Sequence, residues 1–366
     1  MNDAFQMRFE KLRDHIKAGE LEGVILTPGP NLRYYTGVKS ALLERQFLLF
    51  VPRDGTPHLL APTFEASPFT RISMKIAIHA WTDTEGPLHA YQDVISGLGL
   101  KGKWGVEGRV PYHYIHPLTS QSNLQLEDAE QILQNIREIK EPVELQSHQR
   151  AASILSKAFL KIPGFIRPRM TEIELGNRIT QEVYSNGADS VEVMLVQAGA
   201  SAADPHHMPE QKKIQRKESI VVDGCCTYAG YFADITRTYM IGRDSEFENV
   251  YENVLDSQKE GIRASKPGAK VGQVDEAARS RLRQKNLDKY FTHRTGHGLG
   301  LEVHEAPYIV PNGEETLQPG MVYTVEPGVY LAGKMGVRIE DNVQVTEDGA
   351  KVLTRSLPKE LGWWRK

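Results

Sequence analysis

Short apolar runs and helical patterns alternate in the first part of the chain. Residues 23–27, 46–51 and 57–61 are apolar runs bounded by Gly, Pro or Asp, which is typical of strands in an α/β layer. Residues 1–20 instead place apolar side chains at helical spacing among charged ones, which predicts an amphipathic helix. The N-terminal part of the chain is therefore predicted to be a layered α/β structure.

Helical patterns become more frequent after residue 125. Residues 126–160 show the helical period twice, with an interruption at Pro142. The sequence Thr171-Glu172-Ile173-Glu174 is that of a capping box, which predicts the start of another helix. Further helices are predicted from about Phe247 and near Val274, with strand-like apolar runs between the helices.

The length of the chain favours two domains. At 366 residues it exceeds the usual length of one domain, and two domains of roughly 100–250 residues could each bury a core. Apolar residues make up 40% of the chain and charged residues 25%, which is the profile of a folded protein rather than a disordered or fibrous one. We predict an α/β (α+β) protein with domains at residues 1–125 and 126–366.

Charge and the length of the apolar runs narrow the set of partners. The formal net charge is −3 and the basic residues are dispersed, so neither nucleic acid nor an anionic membrane is an expected partner. The first residues lack the apolar core of a secretory signal, and no apolar run approaches the roughly 20 residues of a membrane span. A cytoplasmic protein is expected by default.

Cys225 and Cys226 are adjacent, a spacing that disfavours a disulfide and predicts free, half-buried thiols.

Two aspartates lie on neighbouring strand-like segments. Asp223 follows the apolar run of VVDG, and Asp234 lies in YFADITRTY, after a turn that contains Gly230. A hairpin would bring the two carboxylates together, where their repulsion in a low dielectric requires either a proton or a cation. Taken alone, such a pair is more often explained by solvated turn residues.

The segment THRTGHGLGLEVHEAPY strengthens the case for a metal site. It contains His293, His297 and His304 among glycines that allow the backbone to approach closely. Any one of these histidines could be structural, but three in so short a segment are uncommon. Further on, Glu326 lies in an apolar segment just before a Pro-Gly turn, where a carboxylate needs a partner.

A last predicted strand places Arg338 and Glu340 on one face. Together the segments offer two Asp, two Glu and at least one His, and the −4 charge of the carboxylates would be balanced by two divalent cations. Oxygen ligands with an imidazole suit Mn²⁺, Co²⁺ or Zn²⁺, and the absence of cysteine from the set argues against a structural zinc site.

The ordered motifs DG…GYFADITRTY, TGHGLGLEVHE, TVEPGVY and GVRIEDNVQVTEDG resemble those of the pita-bread metallopeptidases, in the branch of aminopeptidase P and prolidase. The match covers about residues 130–355. Residues 8–120, through segments such as Asn31–Gly37, resemble the creatinase-type N-terminal domain of that branch. The resemblance implies a creatinase-type N-terminal α/β domain followed by a C-terminal pita-bread catalytic domain.

The resemblance also implies a ligand set for two divalent ions per chain, with Mn²⁺ expected first and Co²⁺ or Zn²⁺ as alternatives. Asp223 would bind one ion, Asp234 and Glu340 would bridge both, and His297 and Glu326 would complete the other. Glu326 would in addition carry a proton to the leaving nitrogen.

Catalytic and substrate-binding roles follow from the same resemblance. His206 and His304 correspond to substrate-side histidines that stabilise the oxyanion, with His207 as the neighbouring alternative to His206. His293 corresponds to a position near the bound proline. Arg338 resembles an arginine that orients Glu340 or Asp234, and we also assign it to substrate binding.

The resemblance implies an exopeptidase that cleaves an N-terminal residue from a following proline, and it implies a homodimer.

 The expected substrates are proline-containing peptides or dipeptides. Some dipeptide-specific relatives carry an arginine four residues after the histidine of VHE, which holds the free carboxylate of the substrate, whereas this chain has Tyr308 there. Tyr308 is assigned to substrate binding, and Arg33 of a neighbouring subunit is the other cation considered. Tripeptides with proline second are therefore expected to be cleaved at least as well as dipeptides.

Three alternatives remain at this point. A methionine aminopeptidase is disfavoured by Arg338 and by the long N-terminal segment, both of which those relatives usually lack. A creatinase-type non-peptidase hydrolase or lyase is disfavoured by the complete set of ligand types. A catalytically inactive pita-bread protein that acts as a binding module should have lost ligands, and here none is lost.

Overall fold

The computed structural model describes residues 2–365, and the contacts between residues divide the chain into two units with a boundary between Arg137 and Glu138. The boundary predicted at 125/126 falls within the last strand of the first unit, Asn123–Asp128. Among the described residues, no helix is long and apolar enough to cross a membrane.

The first unit is built on one mixed six-stranded sheet. Its strands are β1 Gly23–Leu26, β2 Leu48–Pro52, β3 His58–Pro62, β4 Ala77–Trp81, β5 Lys101–Val106 and β6 Asn123–Asp128. Its helices are α1 Asn2–Ala18, α2 Pro30–Thr36, α3 Thr63–Ala66, α4 Leu88–Leu98, α5 Tyr112–Gln121 and α6 Glu130–Glu138, which reaches the boundary. The strand order is β4-β3-β2-β1-β5-β6, with β2 antiparallel to both of its neighbours and the remaining pairs parallel.

The apolar pattern predicts the elements of this unit well. The three predicted strands are present as β1, β2 and β3, and the predicted amphipathic helix is α1, which buries Phe9, Leu12 and Ile16 completely. The helical period assigned from residue 126 is wrong at its start, because Leu126 lies in β6 and pairs with Trp104 of β5. Partner strands, which a local pattern does not contain, account for this difference.

The second unit contains three small antiparallel sheets and several long helices. Its helices are α7 Pro142–Phe159, α8 Ile162–Phe165, α9 Glu172–Ser185, α10 Ser245–Ala264 and α11 Val271–Arg283. Its strands are β7 Ser190–Ala198, β8 Ser219–Tyr228, β9 Tyr231–Met240, β10 Gly296–Gly298, β11 Glu305–Ile309, β12 Val322–Val325, β13 Gly328–Leu331, β14 Met335–Arg338, β15 Asp341–Thr346 and β16 Gly349–Val352. The sheets have the orders β7-β8-β9, β11-β10-β12-β15-β16 and β13-β14.

Helix starts in this unit agree with the capping signals in the sequence. Pro142 is the first residue of α7, where its missing N–H costs no hydrogen bond, so the predicted interruption is a helix start. The Thr171 hydroxyl accepts a hydrogen bond from the Glu174 amide at 3.1 Å, and the Glu174 carboxylate accepts one from the Thr171 amide at 2.7 Å. The predicted capping box is therefore confirmed.

Apolar side chains from helices and strands form the core that supports the second unit. Helices α7, α9 and α10 contribute Phe159, Leu175 and Val254, and the facing strands contribute Val222 and Ile235, all of which are buried. Cys225 and Cys226 are free thiols, as predicted, but they are fully buried rather than half-buried. This core holds β8 and β9 in fixed register, which matters because both strands carry acidic residues.

Candidate metal centre

The β8–β9 hairpin brings the two predicted aspartates to one face. Asp223 lies opposite Thr236, and Asp234 lies opposite Cys225, so the two carboxylates are diagonal neighbours on the same side of the sheet. Asp234 is buried, and its Oδ1 atom has no hydrogen-bond partner within the described chain. A buried carboxylate oxygen without a donor requires a proton or a cation.

Glu340 enters the same site from the link between β14 and β15. It was predicted to share a strand with Arg338, but β14 ends at Arg338 and β15 begins at Asp341. The Glu340 amide donates to the Thr236 carbonyl at 3.1 Å, and the Thr236 hydroxyl donates to Glu340 Oε2 at 2.7 Å. These two bonds fix the backbone and the side chain of Glu340 beside the hairpin.

His297 lies at the centre of β10, between β11 and β12. The glycines on either side permit this position, because a Cβ atom on Gly296 would overlap the Thr324 carbonyl and one on Gly298 would overlap the Ala306 carbonyl. The His297 amide donates a hydrogen bond to the Thr324 hydroxyl at 3.1 Å. The close approach of three strands thus places one imidazole at the acidic hairpin.

Glu326 follows β12 directly and faces His297. Its Oε1 atom accepts a hydrogen bond from the Thr324 hydroxyl at 3.0 Å and lies 3.2 Å from His297 Nε2. Burial opposes the ionisation of Glu326, but the hydrogen bond with His297 and the positive fields of His297, His293 and Arg338 outweigh burial and lower its pKa to about 2.

Three of these groups are close enough to hold one ion. Single ligand atoms of Asp234, His297 and Glu340 all lie within 4.8 Å of one another, and all three residues are buried. Burial first, and then the repulsion of neighbouring carboxylates, raises the pKa values of Asp234 and Glu340 well above their ordinary range. This excess of negative charge fits divalent cations, which would stabilise the ionised carboxylates.

Arg338 supports the site through a different carboxylate from the one predicted. Its Nη2 atom donates to Asp223 Oδ2 at 2.6 Å, and its Nη1 atom donates to the Tyr330 hydroxyl at 2.8 Å. Its contact with Glu340 runs through the Thr236 hydroxyl, which accepts from Arg338 Nε at 3.1 Å. Arg338 therefore orients Asp223 directly and Glu340 through Thr236.

All five predicted ligands line one cavity of about 240 Å³. The other lining residues are Val193, Leu195, Pro205, His206, Cys225, His293, Arg294, Val303, His304 and Arg338. His207 does not line this cavity; its Nε2 atom lies 3.8 Å from the buried Glu172 carboxylate, so the structure separates the two adjacent histidines. Tyr308 is also outside the lining. The guanidinium of Arg294, which does line the cavity, lies over the Tyr308 ring.

The remaining histidines differ in their surroundings. The rings of His297 and His304 meet edge to face at 4.1 Å, with His304 on the exposed side of the cavity. Desolvation, ahead of the fields of His297 and Arg294, lowers the pKa of His304 to about 4, so this imidazole is neutral near pH 7. His293 lies within hydrogen-bonding distance of the Tyr330 hydroxyl, at 2.8 Å.

Sequence reasoning missed three members of this site. Thr236 and Tyr330 link the carboxylates to Arg338 and His293, and Arg294 supplies a second guanidinium in the cavity. The first two lie in the recognised motifs but have no chemistry that a pattern would single out. Arg294 is adjacent to His293 in the motif THRTGHG, and this position in the motif is the sequence feature that could have identified it.

Replacing Thr236 with valine is expected to weaken metal binding by about 10- to 100-fold, the usual cost of removing a group that orients a ligand. Valine keeps the shape but removes the hydroxyl that donates to Glu340 and accepts from Arg338. The measurement is the dissociation constant for Mn²⁺ from titration calorimetry of the metal-stripped protein.

Thr238→Val is the matched control. Thr238 is equally buried on the same strand, and its hydroxyl also makes two hydrogen bonds, but both are to the backbone of Arg338. Equal loss of Mn²⁺ affinity in the two variants would show that Thr236 acts only through the stability of β9.

Two family models match the chain. The model of metallopeptidase family M24 matches residues 146–347, and the model of the creatinase/prolidase N-terminal domain matches residues 8–139. A protein of Mycobacterium tuberculosis that is named as a dipeptidase, PepE, is 34% identical over 93% of this chain and 92% of its own length.

Solved structures extend this similarity to the whole fold. The dipeptidase PepE from Mycobacterium ulcerans has a TM-score of 0.92 at 33% identity, and the prolidase from Thermococcus sibiricus has a TM-score of 0.91 at 33% identity. Each comparison covers 98% of both chains. The predicted fold class, a creatinase-type N-terminal domain and a C-terminal pita-bread domain, is confirmed. With a family model that covers more than half of its length and relatives above 30% identity, the chain belongs to metallopeptidase family M24.

Proposed function

We propose that this M24 peptidase is a two-metal exopeptidase that hydrolyses the bond between an N-terminal residue and a following proline. The observation that carries the proposal is that all five predicted metal ligands line a single cavity together with three further histidines. The names of the relatives, dipeptidase and prolidase, support peptide substrates with proline. The ligand set of carboxylates and one imidazole favours Mn²⁺, with Co²⁺ or Zn²⁺ as alternatives.

The residues that would hold the two ions are Asp223, Asp234, His297, Glu326 and Glu340. Bound there, divalent cations would supply a water acidified for attack on the peptide carbonyl. Glu326 is positioned to accept a proton, because its carboxylate stays ionised at neutral pH and is 3.2 Å from His297. It would then deliver this proton to the proline nitrogen as the bond breaks.

Two histidines face the place where the carbonyl oxygen would develop charge. His304 and His206 both line the cavity. A neutral imidazole can donate one N–H to an oxyanion, and such donors are typically worth roughly 2.7–4 kcal/mol of barrier. His304 would supply the main contact and His206 a second one.

The apolar wall beside Asp223 suits a pyrrolidine ring. Val193 and Leu195 are apolar lining residues, and the rings of His293 and Tyr330 lie 5.5 Å apart. The Tyr330 hydroxyl accepts a hydrogen bond from Arg338 Nη1 and shares one with His293 Nε2, and these bonds hold this wall in place. A free α-amino group at the other end of the substrate would be attracted by the carboxylates, which explains a preference for N-terminal residues.

The proposed activity is tested with Ala-Pro, Ala-Pro-Ala, Ala-Ala-Ala and N-acetyl-Ala-Pro-Ala, with Mn²⁺, Co²⁺ and Zn²⁺ added in turn. We expect release of alanine from the two peptides with proline second and no cleavage when the amino group is blocked. Chromatography of the products gives the bond and the rate. Equal cleavage of Ala-Ala-Ala would overturn proline specificity, and cleavage of the acetylated peptide would overturn the exopeptidase assignment.

An inactive binding protein or a creatinase-type hydrolase remains the alternative. Both predict that no peptide is hydrolysed with any metal. Elemental analysis separates them from the proposed enzyme early, because two ions per chain are expected only where the complete ligand set is used. A homodimer, which the family resemblance implies, and a cytoplasmic location, expected by default, belong to the same proposal.

A further inference from the structure

Arg294 is a cation in the cavity, and no acidic side chain among residues 4–365 forms an ion pair with it. Two arginines line the cavity, and Arg338 is paired with Asp223 at 2.6 Å. Arg294 is half-buried, and within residues 2–365 its guanidinium forms no hydrogen bond or ion pair with another side chain. A guanidinium carries five N–H donors, so a partly buried one without acceptors is ready to bind an anion.

The aromatic ring of Tyr308 fixes the position of this guanidinium. The centre of the Arg294 guanidinium lies 4.6 Å from the centroid of the Tyr308 ring. A cation that stacks on a ring uses the face of the guanidinium and leaves its N–H edges free. Tyr308 therefore acts as a support that orients Arg294 without occupying its donors.

The register of β10 and β11 places this pair close to the metal ligands. His297 lies directly opposite Tyr308. Side chains of directly opposed residues project from the same face, with Cβ atoms roughly 4.5–5.5 Å apart. Two residues of extended peptide span about 7 Å at most. A dipeptide with its amino group at the acidic cluster therefore has its C-terminal carboxylate about 7 Å or less from that cluster. Arg294 lies over the Tyr308 ring and lines the same cavity as the predicted ligands, so it is the cation available at that distance.

We propose that Arg294 binds the C-terminal carboxylate of a dipeptide substrate and thereby favours dipeptides over longer peptides. This inference rests on the proposed Xaa-Pro activity and adds a determinant of substrate length. It reverses the expectation drawn from Tyr308 alone, since the cation that is missing at position 308 is supplied by a residue stacked on it. The carboxylate and the guanidinium would form a charge-assisted, bidentate contact.

The size of the cavity supports a short substrate. Its volume of about 240 Å³ lies below the roughly 300–1,000 Å³ of pockets that take drug-sized ligands. The field of Arg294 also reaches His304, where it contributes to the lowered pKa. The proposed carboxylate site and the proposed oxyanion donor are therefore neighbours, as the scissile carbonyl and the C-terminal carboxylate of one dipeptide require.

The experiment compares Ala-Pro with its C-terminal amide, which has the same shape but lacks the negative charge. The enzyme variants are Arg294→Met, which removes the charge, and Arg294→Lys, which keeps a charge without the planar fork. Arg178→Met is the matched control, because Arg178 also stacks on an aromatic ring, Phe165 at 4.4 Å, but does not line the cavity. Thermal unfolding checks that each variant folds.

We expect the wild-type enzyme to prefer Ala-Pro over the amide by about 10- to 100-fold in kcat/KM, the usual range for a hydrogen bond to a charged group. Arg294→Met should lose this preference, because KM rises much more for Ala-Pro than for the amide. Arg294→Lys should keep part of the preference, and Arg178→Met should keep all of it. A purely structural role would instead lower both rates together.

Equal cleavage of the acid and the amide by the wild-type enzyme would overturn the inference while leaving the proposed activity intact. So would an Arg294→Met enzyme that still prefers the acid. If no Xaa-Pro peptide is hydrolysed, the proposed function fails, and calorimetry with proline and prolinamide then decides the role of Arg294. Tighter binding of proline that disappears in Arg294→Met supports the inference, and equal binding of both ligands overturns it.

Discussion

Glu340→Gln is expected to remove at least one of the two proposed metal ions and to lower kcat/KM by several orders of magnitude. An amide cannot replace the charge of a carboxylate proposed to contribute to both ions, and a carboxylate oxygen of Glu340 lies within 4.8 Å of ligand atoms on Asp234 and His297. Asp234→Asn should have the same effect for the same reason. The measurement is the number of metal ions per chain by elemental analysis, together with the rate for Ala-Pro.

The matched control for Glu340→Gln is Glu172→Gln. Glu172 is also a fully buried carboxylate of the second unit, but it accepts hydrogen bonds from the amides of Ala198 and Glu210 and does not line the cavity. This control should keep both ions. A Glu340→Gln protein with two ions per chain and near-normal turnover would disprove the bridging role.

The metal-free proteins provide a second readout of the same idea. Without cations, Asp234 and Glu340 ionise only against burial and against the charges of neighbouring carboxylates, so their raised pKa values favour the protonated forms. Glutamine at position 340 carries no charge and needs no proton, so the metal-free Glu340→Gln protein is expected to unfold at or above the temperature of the metal-free wild-type protein. Loss of activity would then come from lost metal binding and not from a weakened fold.

His304→Ala is expected to keep both metal ions while kcat falls by about 10²- to 10³-fold, because it removes a transition-state donor rather than a ligand. The rings of His297 and His304 are in contact, and His304 is the exposed one. The cluster of ligand atoms that could hold one ion includes His297 but not His304. Steady-state kinetics and elemental analysis on the same preparation separate the two roles.

His207→Ala is the matched control for this variant, since His207 faces Glu172 and not the cavity. It should change kcat little. Loss of metal from the His304→Ala protein would mean that His297 and His304 have exchanged the roles assigned here.

Local sequence patterns predicted those parts of the site that depend on short segments. The hairpin with Asp223 and Asp234 could be predicted because both aspartates lie in apolar runs around one turn, and the turn forms as expected. The capping box at Thr171 is equally local. Motif order then identified His297 and Glu326 as members of the same cavity.

Contacts between distant segments explain what the sequence did not predict. The position of Arg294 depends on the pairing of β10 with β11, which places Tyr308 beneath it. The choice of Asp223 as the partner of Arg338 depends on how β14 packs against the hairpin. Neither contact leaves a periodic pattern or a fixed spacing in the sequence. A sequence pattern can therefore identify these residues but not the residues that they contact.

The close approach of the strands around His297 also affects how mutational data on this protein should be interpreted. Any side chain at Gly296 or Gly298 would overlap a neighbouring carbonyl, so both positions tolerate no other residue although neither binds a ligand. A map of tolerance based on activity alone would give these glycines and His297 the same score. Protein abundance tells them apart, because the glycine variants lose the fold and the histidine variants lose only the chemistry.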